Sequence, residues 1–197
     1  MNIKSIIKII KDAYPKVSDI ENLDENLDNA VLNEKYVNLK ILIEKNKKSK
    51  IWDKIVDEIG KEFNSSNSMK EVVIERNVLT SAPSYSIFIP LSNNANDLKS
   101  IMICFSFLAP CYSMFFAHHR LLSNGKYTKH LLEYDISKTE YSHYENRIKA
   151  IIAKYCSYIY LDSAICNIKV DENLYLETYY EDDVPTIFDF LYTTYRC

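Results

Sequence analysis

Residues 84–120 read SYSIFIPLSNNANDLKSIMICFSFLAPCYSMFFAHHR and contain the densest apolar sequence of the chain. Turn-forming residues divide this stretch into three runs, 85–91, 100–108 and 112–119. The first run alternates apolar residues with others, as a strand with one buried face does. The second run is apolar on both faces, which is typical of a strand covered on both sides. We therefore predict three strands, with 100–108 at the centre of a sheet and 112–119 as its antiparallel neighbour.

Helical patterns precede this stretch. The N-terminus carries apolar residues at the spacing of one helix face, namely Ile3, Ile6, Ile7 and Ile10. This helix should end before Pro15, because the residue before a proline disfavours helical backbone. Two further stripes, within 32–43 and 52–63, predict a second and a third helix, and the polar run 44–50 should separate them.

The rest of the chain contains shorter apolar patterns that predict further strands and helices. Strands are predicted at 71–76, 129–136, 158–161, 165–170 and 174–180, and helices at 141–155 and from Thr186 onward. The sum is an α+β fold, in which a mainly antiparallel sheet has flanking helices and follows a helical N-terminal third. We expect a single domain over residues 1–197, with a helical part at 1–63 and a sheet-containing part at 70–197.

Composition excludes several classes of function. The net charge of −3 argues against general nucleic-acid binding, which needs a cationic surface. With only two glycines, Gly60 and Gly125, the chain cannot build the glycine-rich turns that hold nucleotide phosphates, and we expect no cofactor. The run nearest to a membrane span, 100–118, contains a proline and is predicted to form two strands, and lysines interrupt the apolar N-terminus. We therefore expect a cytoplasmic protein that does not bind membranes.

The five cysteines indicate free thiols. Their number is odd and no C-x-x-C pair occurs, so we expect mostly buried thiols in a reducing compartment. Cys111, beside a turn, is the one cysteine for which we expect exposure, which a nucleophile would need. We favour a structural role even there.

The adjacent histidines His118 and His119 are the obvious catalytic candidates, and a small His-dependent hydrolase stays open as a hypothesis. Neighbouring residues of a strand point to opposite faces, so the two imidazoles should not share a metal or a proton. His130 and His143 lack the spacing of a zinc site. We therefore expect no metal, and we expect that the protein is not an enzyme.

The most unusual segment is acidic and rich in tyrosine. Residues 170–195 contain seven Asp or Glu and no Lys or Arg, with five tyrosines interleaved. Acids steer a basic partner toward a surface, and tyrosines serve as anchors once they are buried there. The alternative is that the tyrosines pack inside the protein while the acids are merely solvated. The predicted partner-binding residues are Glu177, Tyr179, Tyr180, Glu181, Asp182 and Asp183.

The sequence ETYYEDDVPTIFDFLYTTY at 177–195 resembles the ending of cytosolic immunity proteins from bacterial polymorphic-toxin and contact-dependent growth inhibition systems. The resemblance implies a protein that binds one cognate toxin domain, often a nuclease, and blocks its active site or substrate surface. The charge of the segment suggests a basic toxin. Besides the hydrolase, a structural or regulatory adaptor remains open, acting as a homodimer through the apolar stripe of residues 3–10.

Overall fold

A computed structural model describes residues 1–18, 34–64, 83–91, 97–120, 131–133, 136, 141–170, 173–176 and 184–192. Its helices are α1 (Ile3–Ala13), α2 (Glu34–Lys47), α3 (Ile51–Asn64), α4 (Ser142–Tyr155), α5 (Ser163–Cys166) and α6 (Ile187–Tyr192). Its strands are β1 (Ser84–Pro90), β2 (Asp97–Ser106), β3 (Cys111–Arg120), β4 (Leu131–Glu133) and β5 (Ile159–Tyr160). The fold is α+β, as the sequence predicts.

The sheet has the order β1-β2-β3-β4 with antiparallel pairs throughout, and β5 adds a short parallel pair to β3. The prediction that the doubly apolar run is central is confirmed, because Ile103 of β2 pairs with Ile87 on one side and Met114 on the other. The strand ends at Ser106, whose hydroxyl accepts hydrogen bonds from the N–H groups of Leu108 and Ala109. These bonds turn the chain toward β3.

Helices α3 and α4 cover one face of the sheet. Trp52 of α3 is 3% exposed, stacks on Tyr85 at a centroid distance of 5.2 Å and contacts Phe105 at 5.1 Å. The two helices also contact each other through Phe63 and Tyr144, whose ring centroids are 4.8 Å apart. The aromatic side chains of this face are thereby removed from water, which is the main contribution of such a layer to stability.

Helix α6 covers the opposite face. Phe188 packs edge-on against Phe115 of β3 with ring centroids 4.8 Å apart. Ser84 of β1 donates a hydrogen bond from its hydroxyl to the carbonyl of Tyr192, and Tyr14 donates one to the carbonyl of Phe190 at 2.7 Å. A helix of six residues is too short to be stable alone, so these contacts hold it in place.

The helical N-terminal part packs into the same core as the sheet. Ile6 and Ile10 are 1% and 0% exposed and belong to one buried cluster with sheet residues such as Ile103. Ile3 remains 40% exposed. The adaptor hypothesis assigned this apolar stripe to contact with a second copy of the chain. Two of its residues, Ile6 and Ile10, are instead buried in the core of their own chain.

The polar run 44–50 does not separate two helices cleanly, because α2 continues to Lys47. Asn46 donates its side-chain amide to the carbonyl of Leu42, and its own carbonyl accepts from the Trp52 indole at 2.9 Å. The short connection is thus tied to α3 by a buried tryptophan. No helix among the described residues has the length and apolar content that crossing a bilayer requires.

The predicted strand at 165–170 is wrong. Residues 163–166 form the single-turn helix α5, because the Asp162 carboxylate accepts the N–H of Ile165 at 2.9 Å and caps its first turn. Only an isolated bridge between Lys169 and Thr186 follows. The predicted strand at 71–76 lies beyond the described residues, as does 129–136 outside β4 except for Ile136, which is buried but not in a strand.

Candidate functional site

The predicted partner-binding segment lies between two described anchors. All six of its named residues fall outside the described part of the chain, namely Glu177, Tyr179, Tyr180, Glu181, Asp182 and Asp183. Residues 173–176 precede them and residues 184–192 follow them. The site is therefore defined by how these two flanks attach to the body of the protein.

The first flank pairs with residues 15–17, which follow α1. Leu174 forms an antiparallel bridge with Lys16. The N–H of Val17 donates to the carbonyl of Asn173, and the N–H of Tyr175 donates to the carbonyl of Pro15, both at 2.8 Å. Asn173 has a φ of 47°, a left-handed conformation that asparagine tolerates better than most residues. This flank is thus a short bridged segment held by backbone hydrogen bonds.

The second flank pairs with the segment after α5. Thr186 and Lys169 form an antiparallel bridge. The N–H of Val170 donates to the carbonyl of Pro185 at 2.7 Å, and the N–H of Ile187 donates to that of Ile168 at 2.9 Å. Both ends of the acidic segment are consequently attached to the core through paired backbone.

Asp189, one of the seven acids of residues 170–195, serves as a helix cap. It is 2% exposed, and its carboxylate accepts from the N–H of Thr186 at 2.7 Å and from the hydroxyl at 2.8 Å. The Asp189 N–H points back to the Thr186 hydroxyl at 3.4 Å, which completes a reciprocal cap at the start of α6. The T-x-x-D spacing is the sequence signal that would have identified this role.

Tyr192 is likewise a core residue and not a surface anchor. It is 2% exposed, and its hydroxyl donates toward Cys111 Sγ at 3.5 Å and lies 3.1 Å from Ser113 Oγ. Burial raises the pKa of the Tyr192 hydroxyl well above its usual value. Of the tyrosines in the acidic segment, Tyr175 is half-buried beside the first anchor.

A cluster of hydroxyl and thiol groups lies between β3 and α5. Ser113 Oγ donates to the carbonyl of Leu161 at 2.9 Å and lies 3.1 Å from Cys166 Sγ. Cys111 is 0% exposed, so the expectation of an exposed thiol there is wrong. Burial raises the pKa of Cys111 to about 11 and that of Cys166 to about 12, which keeps both thiols protonated and poorly nucleophilic.

The two candidate histidines occupy successive positions near the end of β3. His118 pairs with Lys99 of β2 and with Leu131 of β4, and His119 pairs with Leu98. Their side chains, like all of His130, lie outside the described part. His143 is exposed on α4, where its ring contacts that of Tyr144 at 3.9 Å.

Within the described ranges, no three His, Cys, Asp or Glu side chains converge on a point where they could hold a metal ion. The described geometry shows instead that the two flanks of the predicted binding segment, residues 173–176 and 184–187, are both held by backbone pairing. The chain matches no protein-family model, and comparison with curated proteins and with solved structures likewise found no match.

Proposed function

We propose that this protein is a cytoplasmic immunity protein that binds and neutralises one cognate bacterial toxin domain. The toxin domain is basic, and a nuclease fits that charge. Binding uses the acidic, tyrosine-rich segment at 177–183 and is stoichiometric, with no catalysis by this chain. The acids accelerate encounter with the toxin, and Tyr179 and Tyr180 supply contact area in the complex.

The observation that carries the proposal is the attachment of this segment at both ends. A freely moving acidic tail would lose much conformational entropy on binding, which weakens affinity. Here the chain enters through the Leu174 bridge to Lys16 and leaves through the Thr186 bridge to Lys169. A segment held at both ends loses less entropy when a partner orders it.

A second acidic stretch starts beside the same anchor. Residues 19–28 contain five acids and no basic residue. They follow Ser18, directly after Val17, whose N–H binds the carbonyl of Asn173. The 19–28 stretch thus departs beside the first anchor of the 177–183 segment, and the proposal includes its charges in the field that a basic toxin would meet.

The first experiment is a pull-down with the full chain as bait, from a lysate of its own source, read by mass spectrometry. The proposal expects a basic protein domain that binds at one-to-one stoichiometry and whose toxic activity this chain inhibits. Recovery of the chain alone, or of a partner whose activity is unaffected, would refute inhibition as the function.

Charge reversal then tests the surface. In the variant Glu181→Lys/Asp182→Lys/Asp183→Lys, association with the recovered toxin should slow about tenfold or more at low salt, because steering by opposite charge is lost. The matched control reverses three exposed acids of α2 and α3, Glu34, Asp53 and Asp57, and changes the net charge equally. Equal slowing in both variants would mean that net charge alone matters, and the 177–183 surface would be rejected.

A further inference from the structure

Residues 14–17, which follow α1, contact the chain on both sides of the 177–183 segment. Residues 15–17 pair with 173–175 through the bridge and the two hydrogen bonds described above. Tyr14 contacts α6, into which the second flank continues. Four consecutive residues therefore touch the chain before and after the proposed binding segment.

The contact between Tyr14 and α6 is buried and combines a hydrogen bond with a ring contact. Tyr14 is 4% exposed, and its hydroxyl donates to the carbonyl of Phe190 at 2.7 Å. Its ring meets that of Phe190 edge-on, with centroids 4.9 Å apart. Phe190 lies in the last turn of α6, where carbonyl groups lack partners within the helix. The Tyr14 hydroxyl therefore supplies a partner that the helix backbone does not.

Pro15 transmits the position of Tyr14 to the first flank. The proline is buried, and its ring restricts the backbone dihedral next to Tyr14. Its carbonyl accepts the N–H of Tyr175 at 2.8 Å, and the N–H of Val17 donates to the carbonyl of Asn173 at 2.8 Å. A displacement of Tyr14 from α6 would therefore move groups that hold the first flank.

The second flank depends on α6. This helix has six residues, which is too short to be stable without tertiary contacts. The reciprocal cap between Thr186 and Asp189 links its first turn to the bridge with Lys169. Loss of the Tyr14 contact at the end of α6 would therefore also loosen the paired backbone at its start.

We infer that Tyr14 couples the two flanks, residues 173–176 and 184–187, so that they open and close as one unit. The coupling is a property of this chain alone, and only its consequence for toxin binding rests on the proposed function. Within such a unit, the 177–183 segment begins and ends at points whose separation is fixed, which lowers the entropy cost of binding. Tyr14 is then a positioning residue for that segment, because it is buried and acts through both flanks.

Native-state hydrogen exchange on the full chain tests the coupling without any toxin. In the wild type, the amides of Val17, Tyr175 and Ile187 should share one protection factor, below that of Ile103 in β2. The variant Tyr14→Phe keeps the ring and loses the hydroxyl. The amides of Val17 and Tyr175 should then exchange about threefold to tenfold faster, although the hydroxyl contacts neither, because its bond breaks whenever the unit opens.

Further variants test the reverse direction and the specificity. Asn173→Ala strains the first flank at a φ of 47° and should accelerate Ile187 in the second, because coupling acts in both directions. Asn173→Gly adopts this φ without strain and should leave Ile187 near its wild-type rate. Tyr155→Phe removes a hydroxyl outside the unit, 3.4 Å from Glu58 Oε2, and should change neither flank. Acceleration confined to one flank, or unequal protection of the two flanks in the wild type, would overturn the inference.

The recovered toxin tests the consequence for binding. Tyr14→Phe should raise the dissociation rate about threefold or more and leave the association rate unchanged, because every acid of 177–183 is kept. The charge reversal at 181–183 slows association instead, so the two effects are separable. An unchanged dissociation rate would reject the positioning role of Tyr14. Failure to recover a toxin would refute the proposed function, and the exchange experiment would still decide the coupling.

Discussion

At the scale of single residues, Asp189 is an acid whose partners lie inside the protein. Asp189→Ala removes two hydrogen bonds to Thr186 at the start of α6, and we expect the free energy of unfolding to fall by about 1–2 kcal/mol. Urea unfolding measures this loss. Thr186→Ser, which keeps the hydroxyl, should stay close to wild type. Slower toxin association in Asp189→Ala without a loss of stability would instead assign Asp189 to the binding surface.

The buried thiols predict a loss of stability at alkaline pH. Burial raises the pKa of Cys104 from 9.0 to about 12 and that of Cys111 to about 11. Above about pH 9 the unfolded chain releases thiol protons that the folded chain retains, so the free energy of unfolding falls as pH rises from about 9 to about 11. Each thiol contributes a slope of about 1.4 kcal/mol per pH unit.

Urea unfolding at several pH values tests this dependence. The variant Cys104→Ala should show a slope shallower by about 1.4 kcal/mol per pH unit, because one titrating thiol is removed. The stability of the variant at neutral pH serves as the reference. At that pH the Cys104 thiol of the wild type is protonated in both the folded and the unfolded state, so it adds no pH dependence. An unchanged alkaline slope would mean that Cys104 ionises as easily in the folded protein as in the unfolded chain.

At the scale of elements, one side chain attaches α3 to the sheet. Trp52 contacts rings from β1, from β2, from the connection between β2 and β3, and from the segment before β5, namely Tyr85, Phe105, Phe107 and Tyr158. Trp52→Ala should lower the free energy of unfolding by about 3–5 kcal/mol through lost contacts and a cavity. Far-UV circular dichroism in urea is the suitable measurement. Trp52 is the single tryptophan of the chain, so its substitution removes the tryptophan fluorescence that would otherwise report unfolding.

The matched control for α3 is Ile41→Ala on α2. Ile41 is 61% exposed, so its truncation should change the free energy of unfolding by less than about 0.5 kcal/mol. A similar small effect for Trp52→Ala would mean that α3 is held by other contacts. The ion pairs Glu58 with Lys154 and Glu62 with Arg147 also link α3 to α4, and both are partly exposed.

Elements with a strong apolar period were predictable from the sequence, whereas the single-turn helix α5 was not. The apolar stripes predicted α1, α3 and α4 correctly, because a helix that buries one face along its length carries apolar residues at helical spacing. The apolar residues of 165–170 resemble a strand, yet Asp162 caps a helical turn there. The hydrogen bond to the Asp162 side chain stabilises this helical turn, although the apolar residues that follow alternate weakly, as they would in a strand.

At the scale of the whole molecule, the two acidic stretches should act together. Reversing Asp24, Glu25 and Asp28 to lysine should slow toxin association, because this stretch departs beside the anchor of the 177–183 segment. Combining this change with the reversal at 181–183 should slow association more than either alone. Stopped-flow mixing at low salt measures both rates, and high salt should bring the variants close to wild type. No effect of the 24–28 reversal would confine the binding surface to the C-terminal segment.

The sequence by itself determined the α+β class, the central position of β2 and the helical N-terminal third, because apolar periodicity is a local property of the chain. Only the tertiary structure decided that two members of the acidic, aromatic segment are buried. Asp189 and Tyr192 belong to an acidic, aromatic segment by sequence, but α6 is buried against the sheet. Burial depends on contacts with residues far away in the chain, such as Ser84 and Cys111, and composition does not contain that information.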